Sequence, residues 1–185
     1  MKGSDYIEYD KALNIGFKLL KDKKKRILGL YIITAINTGL RCGDILKLKW
    51  SDILEANNNT LKLIEQKTKK PRSIQLNTNV LRAFNAFKVP NLSEHIFKSQ
   101  KGSVYSIQYL NRALKDIFSI ESKHKNISTH SLRKSFGRRI YESNNESEKA
   151  LMYLNEMFSH SSIATTRIYL GIRQEELNNL YMNMV

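Results

Sequence analysis

The apolar positions of the chain change period twice. Between residues 6 and 22, Ile7, Ala12, Leu13, Ile15, Phe17, Leu19 and Leu20 recur at helical spacing. That pattern predicts an amphipathic helix, with Ser4 or Asp5 as its cap. After the basic stretch KDKKKR a second, more apolar helix is predicted over 25–37. The NTG at 37–39 should end it, because glycine accepts a left-handed conformation. CGDILKLKW predicts a short third helix. From 52 to 76 the residues alternate around an asparagine-rich turn and then a lysine-rich one, with Pro71 at a strand start or edge. This predicts a small three-stranded antiparallel sheet. Helical spacing returns at 78–88, 104–119, 130–143, 146–157 and 173–183, and the loops at 90–103 and 120–128 are too short to separate domains. The expected fold class is therefore α+β and mostly helical, with one domain over 1–172 and a C-terminal helix or tail at 173–185.

Charge narrows the picture. Lysine and arginine number 31 against 17 acids, a net +14 over 185 residues, and the basic residues are spread along the whole chain. A folded protein with that balance points to a polyanionic partner, the alternative being charge carried for solubility alone. ILGLYIITAINTGL is too short and too polar at its ends to span a bilayer, and MKGSDYIEYDK lacks the apolar run of a signal peptide. The expectation is a soluble, cytoplasmic protein without a membrane partner. The single cysteine, Cys42, makes no internal disulfide or cysteine-based metal site, and no metal is expected.

Three stretches carry candidate chemistry: NTGLRCGDILKLKW (37–50), THSLRKSFGRRIY (129–141) and FSHSSIATTRIYLGI (158–172). The first sets Arg41 at a helix start behind a glycine turn, and the second sets His130 and Arg133 at i and i+3 on one helix face. The third puts His160 nine residues before Tyr169, on what reads as a late polar turn. Taken singly, each residue has an ordinary reading. Arg41 caps carbonyls or pairs with Asp44, the histidines are satisfied core or cap residues, and the hairpin lysines are solvated. Tyr153 and Tyr181 compete with Tyr169 as the exposed tyrosine, while Tyr141 reads as helix packing. A helix-turn-helix reading of 147–172 has its turn at SHSS and uses Thr165, Thr166 and Arg167 to contact bases.

In order and spacing, the three stretches resemble the catalytic domain of the tyrosine recombinases, the phage integrase family, over about residues 6–182. That family has Thr-Gly-Leu-Arg followed by Gly-Asp or Gly-Glu, then His-x-x-Arg, then a His or Trp nine residues before a nucleophilic Tyr. The resemblance implies Arg41 and Arg133 as a phosphate clamp and Lys67 as the hairpin lysine, with Lys69 and Lys70 as alternatives. It further implies His130 and His160 as the two imidazoles, Tyr169 as the nucleophile and Asp44 as an acid supporting the first arginine. Lys69, Lys70, Arg72, Lys134, Arg138 and Arg167 are assigned to DNA binding. The implied activity is DNA cleavage and rejoining through a 3′-phosphotyrosine, with no metal, ATP or other cofactor, for integration or excision of a mobile element. Its partners are double-stranded DNA at recombination sites and three further copies in a tetramer on DNA, the free protein being monomeric or weakly associated. The setting implied is bacterial, phage or mobile-element, with the protein at the nucleoid. Type IB topoisomerase-like nicking and resealing, or a non-catalytic DNA-binding module, are the alternatives.

Two departures shape the expectations. Ser159 stands where the family usually has glycine, so a reshaped turn is expected. The family's separate N-terminal clamp domain has no counterpart in this sequence, so DNA binding is expected to be weak and strongly salt-dependent. The last segment, RQEELNNLYMNMV, reads as an amphipathic helix that packs either onto a neighbouring subunit or onto its own domain.

Overall fold

The computed structural model describes residues 3–89 and 91–184. Helices α1 (Tyr9–Leu20) and α2 (Arg26–Thr38) lead into two short helices, α3 (Cys42–Leu46) and α4 (Trp50–Leu54). A 3₁₀ turn at Asn57–Asn59 opens the hairpin β1 (Thr60–Ile64) and β2 (Pro71–Gln75). The rest is helical: α5 (Thr78–Asn85), α6 (Ile107–Ile117), α7 (Ser119–Ser122), α8 (Thr129–Ser143), α9 (Glu148–Phe158), α10 (Ile163–Leu170) and α11 (Ile172–Met182). No helix among the described residues is long and apolar enough to cross a membrane.

The all-round apolar character of α2 makes it the central helix, packed by α1, α5 and α8. Its two threonine hydroxyls are satisfied locally: Thr34 donates to the Leu30 carbonyl and Thr38 to that of Thr34, both at 2.8 Å. A methyl added at Gly29 would lie 2.6 Å from the Gly16 carbonyl, so these two glycines set how closely α1 and α2 cross. The main core runs from α1 through α6. A second, smaller cluster of Tyr141, Leu151, Leu154, Phe158, Leu170 and Ile172 joins α8, α9, α10 and the start of α11.

Two expectations are corrected. The sheet has two strands, paired antiparallel with Leu61 opposite Ile74 and Ile64 opposite Pro71. Residues 52–54, at the start of the stretch expected to form the sheet, belong to helix α4, because Trp50 and Ile53 turn into the core together at i and i+3. The Asp52 carboxylate also caps the turn, accepting from the Lys49 N–H at 2.7 Å. The second correction concerns Tyr169, which lies in α10 and not on a turn. Ser162 caps that helix by accepting from the Thr165 N–H at 3.1 Å, and Gly171 ends it at φ 80°. The C-terminal helix α11 lies against its own domain through buried Ile172 and the ion pairs Arg138–Glu175 and Arg167–Glu176.

Candidate active site

The site is assembled around two helix C-termini. Helix α2 ends at Gly39 with φ 59°, and a Cβ there would sit 2.3 Å from the Phe136 ring, so glycine is required on both counts. The chain then delivers Arg41 to the start of α3. Its Nη1 donates to Glu65 Oε2 and its Nη2 to the Phe158 carbonyl, each at 2.8 Å. From α8, buried Arg133 donates through Nη1 to the Gly39 carbonyl and through Nη2 to the Phe158 carbonyl at 3.4 Å. Its guanidinium lies 4.3 Å above the Phe158 ring. The carbonyl end of α9, where the helix dipole is negative, therefore gathers both guanidiniums. Burial pulls the Arg133 pKa down to about 10; Tyr169 opposes the drop, and the charges of Arg41 and Arg72 add to it.

Helix α9 closes through Ser159 in the left-handed region (φ 53°, ψ 47°), with the His160 N–H donating to the Asn155 carbonyl at 3.1 Å. The turn that glycine would make is kept, so the expected reshaping does not occur. It places the His160 ring 5.0 Å from that of Tyr169, edge to face, and Phe158 packs on the same tyrosine at 5.4 Å. His160 Nδ1 pairs with Thr166 Oγ1 at 3.0 Å, and Lys134 Nζ sits 5.1 Å from the Tyr169 ring centre. The Tyr169 hydroxyl is buried close to Arg133 and makes no hydrogen bond of normal geometry among the described residues. Burial raises its pKa, against the pull of Arg133 and Arg41. Both imidazoles are driven toward the neutral form. Desolvation leads in each case, followed by Arg133, Lys134, Arg41 and Lys67 for His130, and by Arg133, Arg41 and Lys67 for His160. His130 is exposed at the start of α8, and Lys67 is exposed at the hairpin turn.

Arg41, Arg133, His160 and Tyr169 thus gather around Phe158, while His130 and Lys67 are exposed and within electrostatic reach. Asp44 is placed otherwise than expected. It does not reach Arg41; its Oδ1 accepts from the Gln66 N–H at 2.8 Å and so anchors the hairpin to α3. The acid on Arg41 is Glu65. Of the six basic residues assigned to DNA, Lys69 and Lys70 are exposed. Arg72 turns inward, donating to Glu65 (3.0 Å), the Met157 carbonyl (2.9 Å) and the Thr38 carbonyl (3.2 Å). Arg138 is held by Glu142 and Glu175, Arg167 by Glu148 and Glu176, and Lys134 covers Tyr169. Glu65 and the inward role of Arg72 escaped the sequence reading. The one available signal was a lone carboxylate immediately before a lysine-rich turn in a strongly basic chain.

The α9–turn–α10 unit is a helix-turn-helix in outline, but Thr166 is buried, Thr165 serves the Ser162 cap and Arg167 is paired with acids. These side chains are not presented to a groove.

Residues 12–176 match the model of the phage integrase family. Among curated relatives, a probable integrase/recombinase of Bacillus subtilis, YoeC, is 32% identical over 165 residues, covering 88% of this chain and 86% of its own. A tyrosine recombinase of Agathobacter rectalis is 29% identical over 153 residues, 80% of this chain but 48% of its own length. The chain thus spans about half of the latter relative. Among solved structures, the XerH site-specific recombinase bound to palindromic difH substrate, a post-cleavage complex, superposes with TM-score 0.69 at 24% identity. That match covers 98% of this chain and 54% of the XerH chain. A lambda integrase dimer bound to a COC′ core site superposes with TM-score 0.65 at 21% identity, covering 92% and 49%. With the family model spanning most of its length and the arginine, histidine and tyrosine boxes folded around one helix end, this chain belongs to the phage integrase family of tyrosine recombinases.

Proposed function

We propose that this chain is the DNA-cleaving and rejoining domain of a site-specific recombinase, acting through a 3′-phosphotyrosine at Tyr169 to integrate or excise a mobile element. One observation carries the reading: Arg41 and Arg133, from helices far apart in sequence, share the Phe158 carbonyl directly beside Tyr169 and His160. In-line attack on a phosphodiester builds negative charge on the non-bridging oxygens. Two permanently charged guanidinium forks stabilise that charge most where it is greatest.

The Tyr169 oxygen bonds to phosphorus as the P–O5′ bond breaks. The phenolic proton passes to a neutral imidazole, with His130 and His160 the candidates, and Lys67 gives a proton to the departing 5′-oxygen. The products are a phosphotyrosine and a free 5′-hydroxyl, so a second 5′-hydroxyl reverses the step without an external energy source. Because the Tyr169 hydroxyl is buried in the free protein, DNA binding must shift α10 or its surroundings before attack. The partners are double-stranded recombination sites, where four copies assemble, and the setting is the bacterial cytoplasm at the nucleoid.

The test uses duplexes taken from the DNA flanking the protein's own coding sequence, nicked so that the cleaved strand diffuses away. A denaturant-resistant protein–DNA adduct that disappears in Tyr169→Phe, and falls at least about 100-fold in Arg133→Ala, is expected. An adduct that persists in Tyr169→Phe overturns the assignment.

A further inference from the structure

Glu65 belongs to none of the three motifs, yet it has the highest density of polar contacts in the site. It is 2% exposed. Its Oε2 accepts from Arg41 Nη1 and from Thr68 Oγ1, each at 2.8 Å, and its Oε1 accepts from Arg72 Nη1 at 3.0 Å. Its backbone closes the hairpin: the Glu65 N–H donates to the Lys70 carbonyl at 3.0 Å and its carbonyl accepts from the Lys69 N–H at 2.9 Å. Arg72, in turn, is fixed to the Met157 and Thr38 carbonyls at the ends of α9 and α2. A single carboxylate oxygen therefore joins the arginine that grips phosphate to the turn that carries Lys67, and Arg72 braces that carboxylate against the two helix ends.

We propose that Glu65 is a positioning residue that couples the Lys67 hairpin to Arg41, so that the proton donor for the leaving group and the clamp on the phosphate are set by one contact. This rests on the strand-transfer reading above. The carboxylate remains charged in its buried place: burial pushes its pKa up, but the bonds from Thr68 and Arg72 and the charges of Arg41 and Arg72 hold it below the usual carboxylate range. The Lys67 side chain is exposed and carries no hydrogen bond among the described residues, so the position of its ammonium depends on where the turn is held. Thr68, next to it, supplies the side-chain tie between that turn and Glu65.

The two arms of the coupling separate chemically. A 5′-bridging sulfur in place of the 5′-oxygen departs as a thiolate and needs no proton, so a defect confined to the placement of Lys67 vanishes on that substrate, whereas a defect in Arg41 does not. Nicked duplexes of both kinds are compared by the rate of adduct formation. Thr68→Val, which cuts only the hairpin tie, is expected to slow the oxygen substrate about 10-fold and the sulfur substrate less than about 2-fold, as Lys67→Ala does more strongly. Glu65→Gln, which loosens both arms, is expected to slow the oxygen substrate about 100-fold and to recover only partly on sulfur, with duplex affinity within about 3-fold of the parent.

Equal losses on oxygen and sulfur for Thr68→Val, or no loss in either variant, overturn the proposal. A second readout needs no DNA: trypsin cleavage after Lys67 or Lys69, the bond after Lys70 being closed to trypsin by Pro71, is expected to be at least about 5-fold faster in both variants than in the parent protein, with cleavage elsewhere unchanged. Unchanged hairpin cleavage also overturns the coupling. An adduct insensitive to Tyr169→Phe would instead refute strand transfer through that residue and leave the trypsin comparison to decide the role of Glu65.

Discussion

Ser159 holds a left-handed backbone conformation that costs a side-chain-bearing residue about 1 kcal/mol or more relative to glycine. It does so because the turn must direct His160 back onto Tyr169 while leaving the Phe158 carbonyl free for two arginines. Ser159→Gly is therefore expected to raise the stability of the chain by about 0.5–1 kcal/mol in urea unfolding, after allowance for the extra freedom glycine has in the unfolded state. A lower midpoint would contradict the account of the turn. At this scale the gathering of Arg41, Arg133, His160 and Tyr169 around Phe158 was legible because the order and spacing of the three stretches form a pattern that no single residue makes. Glu65 was not legible, since one acid in a polar hairpin has no period and its value lies in three partners from distant segments. Arg72 and Arg138 were placed on DNA by charge alone, and charge does not tell which guanidiniums turn inward to meet carboxylates and helix ends.

Among the elements, the long helices were readable because their apolar positions repeat over three or more turns, as a stripe in α1 and α8 and on all sides in α2. The short ones were not. DILEA at 52–56 fits either period, and the burial of Trp50 with Ile53 decided for a helix. Helix α10 presents hydroxyls and an arginine where a stripe would be expected, and it is specified instead by its Ser162 cap and by the packing of Leu170 against α8 and α9. The elements also fix the acid–base behaviour. Helix α8 and the turn after α9 partly desolvate His130 and His160 and set them near guanidiniums, and the desolvation first, then the charges, lowers both imidazole pKa values. A base must be neutral, and these groups lose their proton below the ordinary value of about 6.5. The single-turnover cleavage rate is therefore expected to be flat from pH 8 down to about that value and to fall only at more acid pH. An acid limb centred above about pH 7 would show that neither imidazole, as placed here, takes the phenolic proton.

For the molecule as a whole, a net charge of +14 is distributed unevenly in its availability. Arg41, Arg72, Arg138 and Arg167 are paired with acids, while Lys69, Lys70 and the run of lysines between α1 and α2 stand exposed. Helix α11 is held to its own domain by Ile172 and two ion pairs, although Leu177, Leu180, Tyr181 and Met182 remain exposed on it and Met184 just beyond it. With α11 docked in cis, the free chain is expected to elute as a monomer on a sizing column at both low and high salt. A salt-independent tetramer would contradict that arrangement.

The central claim is that Tyr169 attacks the DNA phosphate. The direct measurement is to trap the adduct on nicked duplex, digest it with nuclease and trypsin, and sequence the nucleotide-bearing peptide by mass spectrometry. The account predicts a nucleotide joined through its 3′-phosphate to the tyrosine of the peptide Ile168–Arg173. A nucleotide on Tyr153, Tyr181 or any other residue would contradict it.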